Sequence, residues 1–440
     1  MTAKDTIFAL SSGAGRSAVA VIRISGPVSG SLLSKVAGRL PAPRDLSLRP
    51  IRDPSTGEEL DRGIIVWLPA PRSFTGEDCA ELHLHGSPAV VSAVMATLSS
   101  EPGVRPAEKG EFTRRAFLNG KMDLVEVEGL SDLLEARTAS QRRQAFRQMS
   151  GIASSVFDSW RQQLLLIRAD IEAVVDFADE SGVAEEAGPR IDALINVLLM
   201  EISGSVARAS AAEMVRDGVR VVLAGLPNTG KSSVLNALAQ RDAAIVSDVP
   251  GTTRDAIEVS LDIRGIPVIL TDTAGLRNTA VDKVEEEGIR RSRKHISAAD
   301  VVVWLWSSDV PGSEIRHGVL ADLVVRNKSD LKSGLLRNDN ELNISTVTGE
   351  GISQFIDILS GFLQARFGSV EASVLVSERQ TSAAKRSIRF LNEALEHSST
   401  QLELKAEAIR GASDEIGRLT GRVGVEEWLG AIFSRFCIGK

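Results

Sequence analysis

Residues 225-GLPNTGKSS-233 fit the pattern G-x4-G-K-[ST]. They follow the apolar run VRVVLA and open the helix-like SSVLNALAQ. That strand–loop–helix setting is the one in which the pattern holds phosphate. Gly225 and Gly230 let backbone N–H groups wrap an anion at a helix N-terminus, where the helix dipole favours negative charge. Asn228, Thr229, Gly230, Lys231, Ser232 and Ser233 are therefore candidate phosphate-site residues. Lys231 suits the β- and γ-oxygens, and Ser232 suits a hydroxyl ligand to Mg2+.

Which base is bound is written further along the chain. NKSD places Asn327, Lys328 and Asp330 after the run ADLVV. A carboxylate at 330 accepts from guanine N1–H and N2–H2; adenine has no such donor pair and would leave the carboxylate unpaired. DTAG sets Asp272, Thr273, Ala274 and Gly275 at the end of another strand-like run, the Asp near Mg2+ and the Gly toward the γ-phosphate. GTTRD supplies Thr253 as a second hydroxyl for Mg2+, and ISTVTGEG brings Ser345 and Thr346 to the base. Five such elements in order specify a GTPase with GTP and Mg2+ as ligands. Leu276 follows DTAG, where Ras-like enzymes carry the glutamine that orients water, so hydrolysis must use another group. Only residues 307–320 separate two core runs that must run parallel, so the crossover there is a very short helix or a loop.

Around this domain the patterning changes twice. Residues 1 to about 118 alternate short β-like runs with turns and one helical stretch, AVVSAVMATL. From Lys121, and again after about Gly368, apolar residues recur at helical spacing, with a break at ADESGVAEEAGPR. The expected fold class is α/β plus α+β and all-α. A P-loop GTPase domain (216–368) is inserted into a discontinuous helical domain (120–215 and 369–440) and preceded by a small α+β domain (1–119). Hydrophobic content of 43% and charged content of 25% suit a globular chain of two or three such domains. Net charge is −7, so nucleic acid must meet a local basic patch. Two cysteines, Cys79 and Cys437, suit a reducing compartment, and the N-terminal stretch lacks the order of a signal peptide. A soluble, cytoplasmic protein with no membrane span is expected.

GLPNTGKSS, GTTRD and DTAGLR together resemble the translation-factor-like GTPases that carry an apolar residue in place of the glutamine. The flanks DTIFALSSGAGRSAVAVIRISG, PRSFTGEDCAELHLHG, GEFTRRAFLNGKMDL and FCIGK narrow this, over essentially the whole chain, to a resemblance to the MnmE (TrmE) family of tRNA-modifying GTPases. The resemblance implies a homodimer that works with an FAD-containing MnmG-type protein, in a heterotetramer. Together they add an aminomethyl-type group to C5 of the wobble uridine (position 34) of certain tRNAs, using a tetrahydrofolate derivative. It implies folate contacts at Arg23, Glu81, Lys121 and Lys440; the glutamate tail suits a cation and the pterin edge a carboxylate. Paired GTPase domains would hold K+ through Asn228, Ser247, Val249 and Thr252, with Ser247 and Thr252 also bordering GTP. Glu285 matches the water-orienting glutamate, with Glu286 and Glu287 beside it as competitors.

Three features have plainer explanations to weigh. CIGK (Cys437 to Lys440) has the outline of a prenylation signal, but Lys is not a usual last residue and no polybasic run precedes it. Near folate, the Cys437 thiol is a candidate catalytic group, or it merely packs. His83 and His85 alternate on one strand face and read as folate-site or core residues before metal ligands. The basic segments RTASQRRQAFRQ and IRRSRKH divide evenly between solvated helix faces and tRNA or partner contact. A ribosome-assembly GTPase is the alternative function, yet no KH-type GXXG loop stands in the right context.

Overall fold

The computed structural model describes residues 5–176, 183–241, 258–272, 295–316, 318–331, 342–367, 373–398, 401–423, 426–434 and 436–440. The chain divides into two compact units. One takes the chain up to Ser131 with 148–161 and 414–440; the other takes 132–147 and 162–413.

The first unit is built on a six-stranded mixed sheet of order β3-β4-β5-β2-β1-β6. Its elements in sequence are β1 (Thr6–Leu10), β2 (Ser17–Ser25), α1 (Ser29–Ala37), β3 (Ser47–Arg52), β4 (Glu59–Leu68), β5 (Cys79–Gly86), α2 (Pro88–Ser99), β6 (Val104–Pro106) and α3 (Glu111–Leu118). Strands β2 and β5 alternate residue by residue, as SAVAVIRIS and CAELHLHG suggest. Ile22, Ile24, Ala80, Leu82 and Leu84 turn inward, onto Leu32 and Leu33 of α1 and Val94 and Leu98 of α2. Truncating a fully buried member such as Ile22 to Ala would cost about 2–5 kcal/mol. The alternation leaves Arg23 and Glu81 on the opposite face, directly across from each other in the antiparallel register. A smaller cluster of Ile7, Ala9, Ala107 and Phe112, with Phe74, covers part of that face.

Helices follow: α4 (Leu124–Glu135), α5 (Ala139–Met149), α6 (Ile152–Asp176), α7 (Val183–Ala207) and α8 (Ala209–Asp217). The break expected over 178–190 is shorter than its composition suggests, because α7 already begins at Val183 and encloses Pro189. Proline there removes one intrahelical bond, but Ala and Glu on its N-terminal side are strong helix formers. Helix α8 stops at Gly218, whose φ of +78° turns the chain into the next strand.

The second sheet, in the other unit, has the order β12-β11-β10-β7-β9-β8. Its elements are β7 (Val219–Ala224), α9 (Lys231–Arg241), β8 (Glu258–Ile263), β9 (Ile266–Asp272), β10 (Val301–Trp306), β11 (Leu323–Arg326), β12 (Leu342–Asn343) and α10 (Ile352–Phe367). All neighbours are parallel except β8 and β9. Those two join through Arg264 (φ +55°) and Gly265 (φ +86°), the two left-handed residues of a tight hairpin turn. Every residue of β10, VVVWLW, is buried, as befits a central parallel strand covered on both faces. Between β10 and β11 the described residues form turns and no helix, so the crossover is a loop.

Three helices close the chain: α11 (Glu378–Glu396), α12 (Leu402–Thr420) and α13 (Glu426–Ser434). Ser377 caps α11 by accepting from the Gln380 N–H (3.3 Å). Lys405 of α12 is buried yet donates to Asp192 of α7 at 2.6 Å, so the charge is not left bare. The architecture is a P-loop α/β domain set between two stretches of a helical domain, preceded by an α+β domain. Among the described residues, no helix is long and apolar enough to cross a membrane.

Candidate functional site

The phosphate loop leaves β7 and enters α9, so the loop amides gather at a helix N-terminus. Its geometry needs the glycines. A Cβ on Gly225 would stand 2.2 Å from the Leu305 carbonyl oxygen, and one on Gly230 would stand 2.2 Å from Asn327 Nδ2. Asn228, exposed, takes φ +65°, a left-handed conformation that Asn tolerates better than most residues. Buried Lys231 reaches back to the carbonyls of Gly225 (2.9 Å) and Leu226 (2.8 Å), which holds its ammonium against the loop. Thr229 donates to Leu226 O at 2.9 Å. Ser232 Oγ donates to Asp272 Oδ2 at 2.5 Å, so the two Mg2+-side groups expected from GKSS and DTAG do meet. Ser233 is exposed on the first turn of α9.

The base-reading segment starts where β11 ends. Asn327 is fully buried; its N–H donates to Trp306 O (2.8 Å) and its Nδ2 to Thr229 O (3.0 Å), which ties it to the phosphate loop. Its Oδ1 is buried without a protein partner, an acceptor suited to a ligand donor. Asp330 is exposed and accepts from buried Ser345 Oγ at 2.6 Å, so the carboxylate is aimed from behind. Thr346 is half-buried beside it. Ser247, Val249, Thr252, Thr253, Thr273, Ala274, Gly275 and Glu285, with Glu286 and Glu287, lie outside the described residues, as does most of IRRSRKH.

A second constellation lies in the first unit, on the partly covered face of β2 and β5. Arg23 and Glu81 form an ion pair at 3.0 Å, and Glu81 is also bonded to His83 Nε2 at 3.1 Å. The Arg23 guanidinium lies 5.1 Å from the Phe74 ring and 5.9 Å from that of Phe112, within cation–π range. The segment 437–440 comes to this face. Its Ile438 bridges Lys109, Ser11 Oγ donates to Gly439 O (3.0 Å), and Gly439 adopts φ +99° against Leu10. Burial of the Lys440 ammonium pushes its pKa below the ordinary lysine value, and the Arg23 cation adds to that; Glu81 and Cys437 oppose it. Partial burial would raise the Glu81 carboxyl, but Arg23 and His83 outweigh it and hold the group below the usual range. The structure thus gathers Arg23, Glu81, Cys437 and Lys440. Lys121 instead donates to Pro71 O (3.2 Å) and covers Gly76, in the same loop that carries Phe74.

The plainer side chains also find places. His85 bonds Asp61 at 2.8 Å through Nδ1. Cys79 is buried against Thr75 Oγ1, and Cys437 is exposed; both are free thiols. Sequence reasoning missed Phe74 and Phe112, which back Arg23, and Asp309, whose carboxylate takes the Lys328 ammonium at 2.6 Å. His83, expected as a folate-site or core residue, stands two residues from Glu81 on the same face and bonds its carboxylate.

The chain is similar to known proteins over nearly its whole length. Residues 6–121 match the family profile described as the GTP-binding protein TrmE N-terminus, and residues 124–437 match that of the MnmE helical domain. A protein of Methylobacterium sp. called tRNA modification GTPase MnmE is 49% identical over 443 residues, covering 99% of this chain and 100% of its own length. Proteins of the same name from Beijerinckia indica and Brucella canis are 46% and 47% identical, each across 99% of this chain and at least 96% of their own.

Proposed function

The chain belongs to the MnmE (TrmE) family of tRNA modification GTPases, and from that premise we propose how its two sites divide the work. The protein is a GTPase of tRNA modification. The finer proposal is that it works as a homodimer with an FAD-containing MnmG-type partner, in the cytoplasm. Together they build an aminomethyl-type group onto C5 of the wobble uridine, with a tetrahydrofolate derivative as one-carbon donor.

The seat of residues 437–440 beside the Arg23–Glu81 pair is the observation that supports this most. It collects two cations, one carboxylate and one thiol on a single half-covered face. Arg23 and Lys440 complement a ligand's carboxylates, and Glu81 accepts from a ring edge that presents two donors. Lys121, bound to the 71–76 loop, holds that wall of the site. The exposed Cys437 thiol is the group proposed to act chemically.

In the nucleotide site, Lys231 and the loop amides bind phosphates, while Asn327, Lys328, Asp330, Ser345 and Thr346 take guanine. Ser232, Asp272 and Thr253 form the Mg2+ side, and bound Mg2+ offsets phosphate charge. Asn228, Ser247, Val249 and Thr252 are proposed for K+, and Glu285 for orienting water. The proposed domains are 1–119, 120–215, 216–368 and 369–440.

The test is the wobble uridine of tRNA from a strain lacking the gene, analysed after complementation with the full chain or one lacking 437–440. The full chain should restore the modification and the shortened one should not, while both hydrolyse GTP. Restoration by the shortened chain would remove the tail from the chemistry.

A further inference from the structure

The loop between β10 and β11 is wired internally. Ser307 N donates to Ser313 Oγ (3.1 Å), Ser313 Oγ donates to Ser307 O (2.7 Å), and both residues are fully buried. The Trp304 indole donates to Ser313 O (2.9 Å), and Arg326 lies 5.3 Å from the Trp306 ring with Nη2 on Ser308 Oγ (3.3 Å). A loop held this way fixes where Asp309 is presented. Asp309 accepts from Ser307 Oγ and from the Lys328 Nζ. The Lys328 hydrogen bond and then that from Ser307 keep its carboxyl below the usual range, so it is ionised at working pH.

Lys328 is constrained at its other end too. Its backbone is left-handed, φ +56°, between buried Asn327 and the exposed Asp330. Its Cε lies 4.0 Å from where a Cβ on Gly230 would stand, so the lysine stem runs alongside the phosphate loop. We propose that Asp309 is a positioning residue for the nucleotide: by gripping the Lys328 ammonium it fixes the lysine stem as a wall of the guanine site and slows nucleotide release. This rests on the assignment of residues 327–330 to guanine. Since the pair is partly exposed, its side chains retaining 27% and 38% of their surface, it adds little to fold stability. Its effect falls on where the stem lies. A stem tethered at backbone and ammonium must break the ion pair before it swings aside.

The experiment is stopped-flow release of N-methylanthraniloyl-GDP from the full chain. Asp309→Ala should release it about two- to fivefold faster, the range an exposed ion pair supports. Asp309→Glu should recover part of that, and melting temperature should not change. In a Lys328→Ala background, Asp309→Ala should add nothing, whereas a purely structural loop defect would persist there. Equal release by Asp309→Ala and the parent, or additive effects in the double variant, overturns the proposal. Asp330→Asn is the control for its premise: unchanged preference for GTP over XTP would overturn the guanine assignment itself, and with it the proposal.

Discussion

Replacing Gly439 with Ala should separate the two activities with one methyl group. At φ +99° a residue with a Cβ is strained by roughly 1–3 kcal/mol before any contact. The methyl would also stand 2.3 Å from Leu10 O and 3.0 Å from both Leu10 C and Ser11 Cα. These are backbone atoms at the end of a strand paired on both sides, so no rotamer change relieves the clash. Against this stand the Ser11–Gly439 bond, the Lys109–Ile438 bridge and a long Gly110–Cys437 bond. At about 0.5–1.5 kcal/mol each they hold roughly 2–4 kcal/mol in gross terms. The entropy cost of ordering the segment offsets much of this gross figure, so the net docking energy that resists the strain is smaller still. The segment should therefore undock and the remaining fold persist, with melting lowered by about 2–4 °C or less. Losing 1.4 kcal/mol or more of docking reduces the seated population about tenfold or more. Hydrogen exchange at 437–440 should rise, wobble-uridine modification should fall at least tenfold, and GTP hydrolysis should stay within about twofold of the parent. A Gly439→Ala chain that modifies tRNA at the parental rate with a protected tail refutes the reasoning.

Asp330→Asn should weaken GTP by about 10- to 150-fold, the scale of a charged hydrogen bond, and gain XTP, since the amide donates to xanthine's extra carbonyl. The Ser345 hydroxyl can still donate to the amide oxygen, so melting should hold; calorimetric titration with both nucleotides decides. GTP hydrolysis should require K+ and fail in Na+ at equal ionic strength. Glu285→Ala should bind nucleotide but lose turnover; full turnover moves the role to Glu286 or Glu287. Glu81, held below its ordinary pKa of 4.5, contributes stability above that value, lost as pH falls through its lower folded value. The acid limb of the stability curve should be shallower in Glu81→Gln, and an unchanged slope would remove Glu81 from that response.

Local patterns carried much of this fold. A period of two puts Arg23 and Glu81 on the face of their strands away from the buried alkyl residues, because strand alternation is decided within a few residues; that the two meet across the register was implied only by resemblance. The phosphate loop was legible for the same reason: its glycines answer to contacts that recur wherever such a loop is built. Seating 437–440 against Leu10 and Ser11 was visible only through resemblance, since no local period links segments 428 residues apart. The grip of Asp309 on Lys328 was out of reach as well. Loop length showed that no long helix fits before β11, but an irregular path decides which side chain it presents. The start of α7 at Val183 turned on Ala and Glu outweighing Gly188 and Pro189, a balance that composition does not settle.

The partners Ser11 and Gly439 are made 428 residues apart, which sets an order of events during synthesis. At about 5–20 residues per second, the notch beside β1 waits roughly 20–90 s on the ribosome for the residue that fills it. Every strand of the nucleotide sheet is complete by Asn343, well before that moment. A chain terminated early, after Phe367, would thus carry a whole nucleotide sheet and an empty notch. Such a fragment lacks the residues that fill the notch, so on the proposed division of work it would not contribute to modification.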